Sequence, residues 1–225
     1  MTPQTTIDAG TEFDRQVHNL VEREYPAMAG MTPEQFHALV APLRPVAVNA
    51  VNAGDLGHEP DAGRLSFLLV VKRQVVPIEQ MMPRTTLYGK AKPGFVDRSF
   101  EPGSLERFVA IEEVDLPDQP VYLLFGIERG EEFCGAVPND AMAAIGTRGR
   151  TLLTIEEGIA VITQFPEVLV KNKCFSLGGS RSGDRRVPAI WISQNAPKLG
   201  WCWAGNPHTW LGMASAAHRG IEREG

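Results

Sequence analysis

No unbroken apolar run in this chain is longer than Phe67-Leu68-Leu69-Val70-Val71. That run is far shorter than the ~20 residues that a membrane helix needs. It also lacks the polar alternation of a strand with one wet face, and phenylalanine and valine favour strands. Leu65 to Val71 therefore predicts a strand buried inside a protein core. Val121 to Ile127 predicts a second. Such strands need other layers to cover them. The chain is long enough to supply those layers, since 225 residues correspond to between one and two domains at about 150 residues each.

Helical patterns precede the first strand. Phe13, Val17, Leu20 and Val21 recur at helical spacing, and Tyr25 extends the stripe before Pro26 and Gly30 close it. Thr32-Pro33-Glu34 is a helix start, with an N-cap hydroxyl and proline at the first helical position. That helix turns Phe36, Leu39, Val40 and Leu43 inward and ends by Pro45, so the two predict a helical hairpin. Residues 1–10 are small and polar and read as a tail, leaving 11–225 as a single domain. Val75 to Ile78 reads as a neighbour of the first strand. Residues 83–104 carry so many prolines and glycines that they predict a long irregular loop, of the kind that closes over a ligand or wraps a partner.

In the second half, Asn139 reads as the N-cap of a short helix through Ala144. Thr154-Ile155-Glu156-Glu157 fits a capping box, in which hydroxyl and carboxylate satisfy each other's backbone. The helix it opens buries Ile155, Ile159 and Ile162. Strands follow at Lys173 to Leu177, Val187 to Ile192 and Trp201 to Ala204. Asn206-Pro207 then resembles a helix start and Gly220 its stop. The fold class is α+β, with an N-terminal helical hairpin, a central mixed sheet with helices, and a C-terminal β-meander followed by a helix.

Composition narrows the classes of function. Hydrophobic residues make up 43% and charged residues 22%, as in ordinary globular proteins. The net charge of −5 argues against a nucleic-acid binder. Charge is uneven, however: residues 101–132 hold nine acids against two arginines, while residues 171–225 hold eight Lys/Arg against three acids. These segments could attract each other within the fold or across a homodimer. Three scattered cysteines and no visible signal segment make the cytoplasm the default location.

The familiar chemical motifs are absent. There is no Walker lysine loop, no G-x-G-x-x-G after a strand, no G-x-S-x-G and no H-E-x-x-H. The sequence leaves any cofactor unknown. Asp55, His58, Glu59 and Asp61 could offer metal ligands, but their spacing matches no known site, and a solvated turn is the simpler reading. Cys134 follows Glu131 and Glu132, whose charges oppose a thiolate.

Two segments do carry candidate chemistry. All four tryptophans, Trp191, Trp201, Trp203 and Trp210, lie within a short stretch that also holds Cys202, Asn206 and His208. Aromatic walls with a few polar groups suit a small-molecule pocket, although a filled core would use the same residues. Strand alternation puts Trp201 and Trp203 on one face and Cys202 on the other. Upstream, Gly178-Gly179-Ser180-Arg181-Ser182-Gly183-Asp184-Arg185-Arg186 could expose backbone N–H groups and grip an anion with Arg181 and Arg185, or could equally be a hairpin turn. The leading expectation is a small polar or anionic metabolite held by Arg181, Arg185, Trp201, Trp203 and Asn206. If chemistry follows binding, His208 is the acid–base candidate, because imidazole titrates nearest neutral pH. The alternative is a non-enzymatic interaction protein that self-associates through its acidic and basic surfaces.

The segments Leu153-Thr154-Ile155-Glu156-Glu157-Gly158-Ile159-Ala160, Phe165-Pro166-Glu167 and Pro197-Lys198-Leu199-Gly200-Trp201-Cys202-Trp203-Ala204-Gly205-Asn206-Pro207-His208-Thr209-Trp210 together resemble an actinobacterial family of unknown function. The resemblance runs from about residue 30 to 219. It implies a bacterial intracellular protein and assigns no catalytic residue, cofactor or substrate.

Overall fold

The computed structural model describes residues 8–53 and 57–221. Four helices open the chain: α1 (Ala9–Glu22), α2 (Tyr25–Met28), α3 (Pro33–Val40) and α4 (Leu43–Ala53). The α1 cap is Asp8, whose side chain accepts from Thr11 N at 2.6 Å. Ala9 and Gly10, expected in the tail, are helical and buried, while residues 1–7 lie outside the described part. Thr32 and Gln35 close a capping box on α3. The helical region continues beyond Pro45, which sits in the first turn of α4, where its missing N–H costs nothing. Arg44 of α4 holds Asp14 of α1 through two bonds of 2.9 Å.

The two buried runs become β1 (Arg64–Val71) and, after α5 (Ile78–Met81), β2 (Phe95–Val96) and β3 (Val109–Ala110), β4 (Val121–Glu128). β1 and β4 pair antiparallel, with Phe67 opposite Phe125 and Leu69 opposite Leu123. From Leu65 onward β1 is buried on both faces, which is why its apolar run has no alternation. Its outer edge is covered from α1: Gln16 Oε1 accepts from Leu69 N at 2.8 Å and its amide donates to Phe67 O at 3.3 Å. A glutamine side chain thus completes the edge as a neighbouring strand would. Val75 to Ile78 is not that neighbour. Val75 N and Val76 N both bond back to Lys72 O, and Pro77 offers no donor, so the chain turns into α5.

Next come α6 (Pro138–Thr147), β5 (Thr151–Leu152) and α7 (Ile155–Gln164). The cap of α6 is Val137 with Pro138 at the first position, two residues before the expected Asn139. The capping box of α7 is present as read. All ten residues of α7 are buried, not only its isoleucine stripe. A helix enclosed on every side must satisfy its polar residues locally. Glu156 is paired with Arg73, Thr163 Oγ1 donates to Ile159 O at 2.7 Å, and Gln164 donates to Gln16 O at 3.0 Å. Gly158 sits where any Cβ would overlap Leu177, so glycine sets how closely α7 approaches the C-terminal sheet.

That sheet is built from β6 (Cys174–Ser176), β8 (Arg186–Ser193), β9 (Ala196–Trp203) and β10 (Leu211–Met213), with β7 (Ser180–Arg181) pairing separately with β3. The order is β10-β6-β8-β9-β2, antiparallel except for the parallel pairs β10–β6 and β2–β9. Gln194 and Asn195, both at positive φ, make the tight turn between β8 and β9, so β9 is longer than the expected strand. The loop around 83–104 packs onto the C-terminal sheet. Through β2 and the Asp97–Lys198 ion pair it straps the outer edge of β9.

The expected C-terminal helix is absent. Residues 206–210 are loop and turn, and β10 is followed by β11 (Ser215–Ala216) and β12 (His218–Gly220). Leu211 to Ala216 is buried without interruption. Ser215 pairs with Glu128 and Leu152, and His218 to Gly220 pair with Phe125 to Leu123. Pairing along the open edge of β4 overrides the local helix signal. Gly212 marks the reason locally, because a Cβ there would overlap the carbonyl of Gly130. The first sheet therefore reads β1-β4-β11-β5, antiparallel throughout, with β12 also on β4.

Candidate functional site

A concavity of about 460 Å³ is assembled from four separate segments. Ile111, Glu113 and Val114 follow β3. Met142, Ala143 and Gly146 come from α6. Arg150, Thr151 and Leu152 form the β5 wall, and Arg181 enters from β7. The volume suits a small organic molecule. Three elements fix this arrangement. β3 pairs with β7, placing Val109 opposite Arg181, and Ile111 N donates to Gly179 O at 3.1 Å. β5 hangs on β11. Arg150 locks that joint, with Nε on Ser215 Oγ at 2.9 Å and Nη2 on Gly126 O at 2.7 Å.

Beneath the β5 wall lies a buried ionic cluster. Glu157 of α7 accepts from Arg219 Nε at 2.6 Å and Nη2 at 2.8 Å, from Tyr122 Oη at 2.7 Å and from Thr154 N at 2.8 Å. Arg219 also donates to Thr151 Oγ1 at 2.8 Å and Leu152 O at 3.0 Å. Burial, with the Glu157 carboxylate beside it, pushes the Tyr122 phenol well above its ordinary range. Burial alone would lower the Arg219 guanidinium, but Glu157 outweighs it and holds the charge in place.

Arg181 is the candidate that the larger cavity contains. Its Nη2 donates to Asp184 O at 2.9 Å, its Nη1 lies 3.9 Å from Met142 Sδ, and its Nε is buried with no partner among the described residues. A guanidinium carries five N–H donors, so most of its capacity is unspent. Asp184 directs its carboxylate elsewhere: hydrogen bonds from Arg186 hold it down at about 2.

The other expected residues lie around this site but do not line the cavity. The loop 178–186 and the segment 201–210 do meet, since Arg186 pairs with Trp203 and Ala204 N donates to Arg185 O at 2.8 Å. Arg185 is exposed. Trp201 and Trp203 share one face, with rings 4.8 Å apart and Arg186 over Trp201, while Cys202 is buried between them in sequence. Trp203 is 45% exposed and Asn206 is exposed in the turn after β9. His208 sits in a loop, not in the first turn of a helix, with its ring 5.3 Å from Trp210. It borders a separate pinch of space of about 10 Å³ beside Ser176 and Phe133, room for about one water. Burial raises the Cys202 thiol, and hydrogen bonding to Ser176 and the charge of Arg181 offset only part of that. Burial likewise raises Cys134, with Glu131 adding to it.

Sequence reasoning missed Arg150, Glu113 and Met142. Each stands alone in a different segment, and only the β3–β7 and β5–β11 pairings bring them together. Among the described residues no three His, Cys, Asp or Glu side chains converge as metal ligands, and Asp55 lies outside those residues. No described helix is long and apolar enough to cross a membrane. The acidic and basic segments touch within the chain, through β3–β7 and a 3.1 Å Lys173–Glu131 pair.

No curated protein and no solved structure matches the chain. Residues 19–222 match a protein family described as being of unknown function, and across nearly its whole length this chain belongs to that family, DUF5701.

Proposed function

We propose that the protein binds a small anionic molecule with an apolar body in the cavity between α6, β5 and β7. The observation that carries this reading is Arg181, a guanidinium on the cavity wall with no carboxylate partner among the described residues. A carboxylate in the cavity would accept charge-assisted hydrogen bonds from Nη1, which otherwise meets Met142 Sδ at 3.9 Å. Apolar surface from Val114, Met142 and Leu152 would hold the rest of the molecule. Titration with hexanoate and 3-phenylpropanoate, followed by backbone amide shifts, tests it. Shifts should centre on Met142, Leu152 and Arg181, and Arg181→Gln should weaken binding about tenfold or more. Equal affinity in that variant, or shifts centred elsewhere, would remove the assignment.

A second reading rests on Trp203, exposed beside Trp201 on the β8–β9 hairpin. An exposed tryptophan next to a basic loop suits a contact with a second copy of the chain. Light scattering at low and high salt tests this: a dimer lost in Trp203→Ser supports it, and a monomer at all concentrations removes it.

A further inference from the structure

The cavity carries two opposite charges that are unpaired and do not meet. Arg181 has no carboxylate partner among the described residues, and neither does Glu113 have a cationic one. Both line the same space, Arg181 half-buried and Glu113 at the solvent edge. The third charge, Arg150, is already committed: it bonds Ser215 and Gly126 O and stands 3.5 Å from Glu128. The lining therefore offers one available cation and one available anion, together with the apolar side chains of Val114, Met142 and Leu152. A phosphate dianion fits this poorly, because Glu113 would repel it and Arg150 has few donors left to give. A molecule carrying both a carboxylate and an ammonium satisfies both ends at once.

We infer that the ligand is a zwitterion with an apolar body, of the class of the apolar α-amino acids, its carboxylate on Arg181 and its ammonium on Glu113. This rests on the anion-binding reading above and sharpens it. Charge-assisted hydrogen bonds recognise the two charged groups, which share one carbon, and Val114, Met142 and Leu152 contact the side chain. Glu113 is solvent-exposed, so its contribution is modest, about three- to tenfold in affinity.

The experiment compares phenylalanine and leucine with their deaminated analogues, 3-phenylpropanoate and 4-methylpentanoate, by amide-shift titration of wild type, Glu113→Gln and Arg181→Gln. The amino acids should bind wild type three- to tenfold more tightly than the deaminated acids. Glu113→Gln should erase that preference, and Arg181→Gln should weaken both series. Deaminated acids that bind as tightly as the amino acids, or a preference that survives Glu113→Gln, would overturn the zwitterion assignment. If those acids still depend on Arg181, the anion reading stands alone. If neither series binds, both fall.

Discussion

Replacing Arg219 with methionine strips the counter-charge from a carboxylate that has no water to turn to. Glu157 is 0% exposed, and its oxygens accept from Arg219 Nε and Nη2, Tyr122 Oη and Thr154 N, all between 2.6 and 2.8 Å. Methionine fills similar space but removes two of those donors and the charge, and leaves Thr151 Oγ1 and Leu152 O without their arginine. Breaking a buried pair from one side costs about 3–5 kcal/mol. In a chain of this length each kcal/mol lowers Tm by about 2–4 °C, so the expected fall is roughly 6–20 °C. Tyr122→Phe removes one donor only and should cost about 1–2 kcal/mol. In the double variant Arg219→Met, Glu157→Gln the stranded charge is gone, so its loss should be smaller than the sum of the single losses by about 1–3 kcal/mol. Urea unfolding of wild type, Arg219→Met, Glu157→Gln, the double variant and Tyr122→Phe measures all the terms. A cost below about 1 kcal/mol for Arg219→Met, or strictly additive losses, would refute the view that the cluster is dry and coupled.

Burial raises the Tyr25 phenol to about 12 and pushes Tyr122 well above its ordinary range, so folding favours their neutral forms. Their contribution is complete below about pH 10, the unfolded value, and is lost as pH rises toward 12; phenolate absorbance should therefore appear together with loss of tertiary circular dichroism, and phenolate formed without unfolding would contradict it. At Asp97, burial raises the carboxyl, but hydrogen bonds from Lys198 and Ser99 outweigh it and hold the group at about 2. Stability from this pair is present above about pH 4 and lost as pH falls toward 2, so Asp97→Asn should cost about 1 kcal/mol at pH 7 and almost nothing at pH 2 in urea titrations. Gln16→Met leaves the buried Leu69 N–H without its acceptor and should cost about 1–3 kcal/mol, with amide exchange at Leu69 accelerated; unchanged exchange would show that α1 does not seal that edge.

The parts of the fold that were legible in the sequence are those written in contiguous residues. The β1 and β4 runs, the Thr32 and Thr154 caps and the strands of the C-terminal hairpin all depend on neighbours within a few positions. Residues 206–220 carry an equally local helix signal, yet β4 and β5 recruit them as strands, because their buried partners lie about ninety residues earlier and sixty earlier respectively. The site divides the same way. Arg181 was visible because arginines clustered in a Gly-rich loop suggest an anion. The tryptophans drew attention by their spacing, but the β8–β9 pairing sets Trp201 and Trp203 together on one face and neither lines the larger cavity, while His208 follows the loop to β10. Glu113 and Arg150 acquire meaning only from the tertiary joints that aim them at one space.

The late arrival of β11 and β12 has a consequence for biogenesis. On a ribosome, β1 and β4 can pair as soon as residue 128 has cleared the exit tunnel, but the other edge of β4 has no occupant until residues 215–220 emerge. At synthesis rates of ~5–20 residues per second, that leaves the edge open for several seconds. During this interval Leu123 to Phe125 offer unpaired backbone on a highly apolar strand, a template for pairing with a neighbouring nascent chain. α7, waiting between the sheets, likewise has no counter-ion for Glu157 until Arg219 is made. Yield in cells should therefore depend on how quickly the final strands are delivered, and slowing translation between residues 130 and 215 should raise the aggregated fraction without altering the stability of the finished protein.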